Sequence, residues 1–488
     1  MSSLVVSLLL ASLAGTGQVQ TLTGKVLQTG HVLEDVSSDV APGKRYVLYL
    51  PTGFDATKPT PILYLMDPRG RARVPARLFQ AAAERYGYIL ISSYTTSSDG
   101  PIDPNIVALQ AMWDDANRWF TLDPNRNYLA GFSGTARTAS RLADIQPLIT
   151  GIISAGAGFD DTVRPSAKTP FLFFGAVGEV DYNFHEIQTL EHVLADLNLP
   201  HRIERFQGPH SWMPAEVAMR AIEWFELRAI QAKTRPYDAA LVDAWWTRDG
   251  ARAQTQLEEG RILDAARQYA AMARDYAGLV NTAPTALAAR RIAEAPSAKS
   301  QLRERRSASR DSLDWVMARM RAIAEAFPTD EVFPVVPASD LVLTLELASL
   351  KRTAAGPNPD AALEAQRRLN QLEVQLGFYL PSDALARADF SRAGYYLSVA
   401  MQITDDSPVS WYLSAQRSAR LNAPKDAFAS LQHAVDSGFR AVAMIEADPS
   451  FERWRMNPEY VALVEALRRA GDVLDPLTVD RPPVPIRR

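Results

Sequence analysis

The sequence predicts two folded parts: an α/β domain built on a doubly wound, mostly parallel sheet, and after it an all-α domain of helical repeats. Three observations predict them. Over residues 21–227, short apolar runs alternate with amphipathic stretches, which is the pattern of strands joined by crossover helices. After about residue 233 the strand signal stops, and Ala, Arg, Leu and Glu recur at helical period. The 488 residues, 47% hydrophobic and 22% charged, are too many for one compact core, so at least two domains are expected.

Taken in order, the chain opens with an apolar run at residues 4–14 that closes in small residues. It is too short to span a bilayer, and residues 1–17 are read as a signal peptide, with Ser12 and Ala14 offering a small-x-small cleavage site. A secreted or periplasmic protein follows from that reading. A buried N-terminal strand or helix is the alternative, because no Lys or Arg precedes the run. No other stretch approaches membrane length, so no stable membrane insertion is expected.

In the α/β domain, residues 18–232, strands are expected at 46–50, 61–66, 88–92, 127–130, 151–155, 170–175 and 202–206. Most are continuous apolar runs, which means burial on both faces. Helices are expected at 106–120, 136–144, 185–198 and 214–232, where apolar residues fall at three- and four-residue spacing. In such sheets ligands sit at the carboxyl ends of the strands, so chemistry is sought in the loops that follow them.

Residues 233–475 read as helix throughout. Ala393, Leu397 and Ala400 recur 34 positions later as Ala427, Leu431 and Ala434. That interval resembles the tetratricopeptide repeat, and Trp411 and Ala415 fit its aromatic and small positions. Ser418 and Phe439 depart from it, standing where Tyr and Pro are usual, and an unrelated helical bundle is the alternative. Residues 476–488, rich in Pro and charge, are expected to be an unpacked tail.

Composition excludes several chemistries. A net charge of −4, from 52 basic and 56 acidic residues, creates no field that would gather phosphates, and no nucleic-acid partner is expected. The absence of cysteine removes disulfides, zinc–thiolate sites, iron–sulfur clusters and a cysteine nucleophile. No metal or organic cofactor is expected.

The chemistry-bearing stretch is Gly131-Phe132-Ser133-Gly134-Thr135, which runs from a strand through a sharp turn into a helix. A nucleophile elbow needs this context, with small neighbours that let helix and strand approach. Gly is usual two residues after the nucleophile, and Thr135 is a departure. Two further loops follow in the chain order nucleophile, acid, histidine: the strand at 170–175 leads to Glu179 and Asp181, and the strand at 202–206 leads to His210.

In these three segments the chain resembles the esterase branch of the α/β-hydrolases, including dienelactone-hydrolase-like and feruloyl-esterase-like enzymes. The resemblance covers residues 21–227 and implies an α/β-hydrolase fold, with Ser133 as nucleophile, His210 as general base and Asp181 as the acid that orients it. Glu179 is the alternative acid. One oxyanion donor would be the N–H of Gly134, the residue after the nucleophile. The second is expected from the loop Met66-Asp67-Pro68-Arg69-Gly70; Pro68 has no N–H, which leaves Arg69, unless Asp67 and Arg69 pair as a clamp.

His185, Glu186, Glu191 and His192 look like a metal cluster, but zinc-protease spacing would need His where Thr189 stands, so they read as the solvated face of a helix. Tyr182, Phe184 and Trp212 are candidates for lining a pocket, with core packing as the alternative. The segment from Ala155 to Pro170 leaves no room for an inserted cap, which implies an open site for a small-molecule or polymer ester. Peptide cleavage on the same fold is one alternative. The other is an inactive hydrolase-like domain that binds a protein partner together with its repeats.

Overall fold

The computed structural model describes residues 17–98, 100–404 and 406–470. The expected signal peptide, apart from Gly17, and the expected tail lie outside the described residues.

After a small antiparallel hairpin, β1 (Gln18–Gln20) with β2 (Val26–Gln28), the chain builds one sheet of eight strands. These are β3 (Val32–Ser37), β4 (Arg45–Tyr49), β5 (Thr60–Met66), β6 (Ile89–Ser93), β7 (Leu122–Phe132), β8 (Gly151–Ala155), β9 (Leu172–Gly178) and β10 (His201–Phe206). Their order across the sheet is β10-β9-β8-β7-β5-β6-β4-β3. β4 runs antiparallel to both its neighbours, while the β5–β6, β5–β7, β7–β8 and β8–β9 pairs are parallel. This is the mostly parallel, doubly wound sheet expected from the sequence.

The central strands form where continuous apolar runs lie: every residue of β5, β6 and β8 is buried. β3 was not expected, because its sequence Val-Leu-Glu-Asp-Val-Ser interrupts the apolar signal with acidic residues. It is the edge strand, where charge is tolerated and blunts further pairing. The helix α1 (Arg73–Tyr86) packs Ala76, Phe79, Ala82 and Ala83 into the core. Between β8 and β9, residues 156–171 contain no helix, so no cap is inserted there.

The described chain divides into two compact units. The first holds residues up to Val177 together with Glu186–Phe206 and Trp212–Lys299; the second holds Gly178–His185, Gln207–Ser211 and the residues from Ser300 onward. The first unit therefore continues past the compositional boundary at 233 and includes α6 (Ala239–Glu258), α7 (Ile262–Asp275) and α8 (Ala283–Glu294). Val242, Trp245, Met272 and Tyr276 of this region share one core with Trp224, Phe225 and Leu227 of α5 (Ala215–Gln231) and with the sheet. Composition reports which residues favour helix, not which surface the helix buries.

The second unit is helical apart from its two loop segments. α12 (Pro359–Val374) passes through a π-helical turn, Gln375–Tyr379, into α13 (Leu380–Ala386). α14 (Phe390–Ile403), α15 (Pro408–Arg420) and α16 (Pro424–Asp436) follow. Ala393, Leu397 and Ala400 on α14 and Ala427, Leu431 and Ala434 on α16 are all buried, so the 34-residue recurrence marks equivalent inward faces. Among the described residues, no helix is long and apolar enough to cross a membrane.

Candidate functional site

In the first unit β7 ends at Phe132 and α3 (Gly134–Ile145) begins at Gly134, leaving Ser133 alone at the turn. Its backbone takes φ 54° and ψ −126°, a region that non-glycine residues rarely adopt. Such strain persists only where the surroundings enforce it, and it concentrates at functional positions. Here the Ser133 N–H donates to Ala155 O at the end of β8, 2.8 Å away, and its carbonyl accepts from Ala136 N at 3.0 Å. A Cβ on Gly131 would collide with the Thr135 carbonyl, so the close approach of strand and helix needs glycine there. Gly134 opens α3, where the N–H groups precede the first intrahelical hydrogen bond.

Thr135 fits this turn through its hydroxyl. The buried Oγ1 accepts from Phe132 N at 3.1 Å, and its proton has Met66 O at 2.7 Å and Phe132 O at 2.9 Å. The side chain that departs from the usual small residue thus ties the elbow to the end of β5.

The loop after β5 corrects one expectation. The Arg69 N–H, taken from the sequence as the second oxyanion donor, donates to Asp67 Oδ1 at 2.9 Å. Asp67 is fully buried and also receives Arg71 Nε at 2.8 Å, Arg71 Nη2 at 2.7 Å and Trp212 Nε1 at 3.0 Å. The Arg71 side chain therefore clamps Asp67. Burial pushes the Asp67 carboxyl up, but the Arg71 guanidinium, Trp212 and the Arg69 amide outweigh it and hold the group below its ordinary value.

A lowered folded value means that this stabilisation is complete above the unfolded carboxylate range, about 4, and is lost as pH falls through the folded value. Asp67→Asn is expected to cost about 2 kcal/mol at pH 7, with the gap to wild type narrowing below about pH 4. Urea unfolding of both proteins at pH 7 and pH 3 checks this, and a gap independent of pH would contradict it.

In the second unit the structure brings Asp181 and His210 together. Both carboxylate oxygens of the fully buried Asp181 lie 3.0 Å from His210 Nδ1. The acid loop is a tight turn: Asp181 N donates to Gly178 O, Phe184 N to Asp181 O, and Asn183 N to Asp181 Oδ1 at 2.7 Å. A Cβ on Gly178 would strike the carbonyls of Gly208 and Pro209, so the acid and histidine loops pass each other only because that residue is glycine. Asp181, not Glu179, is the carboxylate at the imidazole.

Of the aromatic candidates, Tyr182 lies beside His210, with ring centroids 4.3 Å apart. Trp212 is core: it is buried, bonded to Asp67 and packed on Phe79 and Phe132. Phe184 is buried beneath the Arg367 guanidinium.

Of the residues read as a solvated helix face, His192 is exposed, whereas Glu186 and Glu191 are ion-paired. On α4 (Phe184–Asp196), Glu186 holds Arg137 of α3 through both oxygens at 2.7 and 2.6 Å, and Glu191 lies 3.5 Å from Arg205. His185 Nε2 is 2.9 Å from Glu364 Oε2. Burial pushes the Glu364 carboxyl up, but His185 and Arg367 bring it down to about 2. Among the described residues there is no group of three or more His, Cys, Asp or Glu able to hold a metal. Sequence reasoning missed Glu364, Arg367 and Asn370, whose three-residue spacing on α12 is visible in the sequence. Their partners lie some 180 residues away and could not be read from it.

No family model and no curated protein matches the chain. Solved structures do align with part of it. The S-formylglutathione hydrolase FrmB from Staphylococcus aureus is 15% identical over 41% of this chain and 99% of its own, with a TM-score of 0.33. Est1E from Butyrivibrio proteoclasticus is 13% identical over 41% and 100%, with a TM-score of 0.31. The ferulic acid esterase AmCE1/Fae1A from the anaerobic fungus Anaeromyces mucronatus is 17% identical over 38% and 86%, with a TM-score of 0.30.

Proposed function

We propose that the protein is a serine hydrolase that cleaves carboxylic esters, with Ser133 as nucleophile, His210 as general base and Asp181 as the acid orienting the imidazole. The observation that carries this is the backbone of Ser133, held at φ 54° between a buried strand and a helix N-terminus. The Asp181–His210 pair supports it, because a carboxylate on Nδ1 leaves Nε2 as the basic nitrogen.

In this mechanism His210 takes the Ser133 proton as the oxygen attacks the ester carbonyl. The tetrahedral oxyanion is met by the Gly134 N–H, and the Arg69 amide, taken up by Asp67, is not assigned to it. His210 then gives its proton to the leaving alcohol, which departs and leaves an acyl-Ser133. Water, deprotonated by the same imidazole, releases the acid and restores the serine. The uncapped β8–β9 segment favours bulky esters such as acylated polysaccharides or polyesters. Residues beyond the sheet are proposed as a tetratricopeptide-like array that takes a protein partner, and the mature chain as exported.

The test is turnover of p-nitrophenyl acetate by the whole chain. Asp181→Asn is expected to lower kcat by about 10^4-fold and Glu179→Gln by less than about 3-fold. The reverse ranking would move the acid to Glu179. Cleavage of peptide amides without ester turnover would replace the esterase by a peptidase.

A further inference from the structure

We infer that Asn370 and Arg367, on α12 of the helical region, are positioning residues for Asp181, and so that this helix is part of the catalytic apparatus. This rests on the proposal that Asp181 orients His210. The two carbonyls immediately before the acid are both held from α12: Arg367 Nε donates to Glu179 O at 2.7 Å, and Asn370 Nδ2 donates to Val180 O at 2.7 Å.

The residues after the acid are held from the same helix. The Arg367 guanidinium lies 3.9 Å from the centroid of the Phe184 ring, and His185 meets Glu364 at 2.9 Å. The grips are themselves supported: Glu364 Oε2 accepts from Arg367 Nη1 at 3.1 Å, and Gln366 Nε2 donates to Asn370 Oδ1 at 2.9 Å. Asp181 is thus bracketed on both sides by one face of one helix, and all of these groups lie in a single compact unit.

A loop has few backbone bonds of its own to define its path. The turn at 178–184 is closed by three short-range bonds, and fixing the carbonyls of Glu179 and Val180 fixes where the Asp181 carboxylate points. α12 has therefore a task beyond recruiting a partner.

The test uses the whole chain and p-nitrophenyl acetate. Asn370→Ala removes the donor to Val180 while improving helix propensity, and Arg367→Lys keeps the charge but loses the Nε–H that reaches Glu179. Each is expected to lower kcat by about 10-fold with KM changed less than about 2-fold. In an Asp181→Asn background neither substitution should change kcat by more than about 2-fold, because the group they position is gone.

Wild-type kcat in both variants, or an undiminished loss in the Asp181→Asn background, would overturn the inference. So would failure of both variants to fold, which would make these contacts general supports of the domain. A wild-type chain that turns over no ester would instead overturn the underlying proposal. Wild-type turnover lost in Asp181→Asn but kept in the helix variants would overturn this inference alone.

Discussion

A chain ended at Lys233 is expected not to fold, although the strand pattern stops before that point. The cut removes Val242, Trp245, Met272 and Tyr276 from the core they share with α5 and the sheet. At roughly 1.5–3 kcal/mol for each large side chain, the four contribute about 6–12 kcal/mol, as much as the whole stability of a typical domain. The same cut strips Asp249 and Asp275 from the buried Arg202 guanidinium, which they approach to 3.2 and 3.4 Å, and leaves Glu204 in place. An incompletely paired buried cation adds several kcal/mol of penalty. Circular dichroism and urea unfolding of the 1–233 fragment check this. A cooperative transition with native-like ellipticity would show that the compositional boundary is a folding boundary after all.

Ser133→Ala is expected to lower kcat/KM on p-nitrophenyl acetate by at least about 10^4-fold, since no other group is assigned to form the acyl intermediate. The substitution leaves the φ 54° backbone in place, with its strain. Ser133→Gly should be equally inactive yet more stable than Ser133→Ala by about 1 kcal/mol, because glycine adopts positive φ without the Cβ penalty. Stability is then regained at this residue while activity stays lost, which a merely structural turn would not produce. Equal stability of the two variants, with activity retained in either, would count against a strained nucleophile.

Much of this was legible in the sequence. The run Gly151–Ala155 is β8 with its bounds unchanged, since an apolar stretch between turn residues has little other way to be buried. The turn at Ser133 and the meeting of the loops that carry Asp181 and His210 were legible because order and loop placement are properties of the chain. The edge strand β3 was not, because Glu34 and Asp35 interrupt its apolar residues and hide the period. The fate of the Arg69 amide could have been read: Asp two residues before a backbone N–H commonly captures it, and Asp67 does. Thr135 was legible only as a departure, since its bonds to Met66 and Phe132 depend on where β5 ends in space. The grip of α12 on the acid loop had no sequence signal, because its ends are about 190 residues apart and neither belongs to a motif.

The central claim, that Ser133 is an activated nucleophile, is tested most directly by treating the whole chain with a fluorophosphonate and mapping the adduct by peptide mass spectrometry. The account predicts one stoichiometric adduct on the peptide carrying Ser133, absent from Ser133→Ala and strongly slowed in His210→Ala. No labelling of the folded wild-type chain, or labelling that persists in Ser133→Ala, would contradict it.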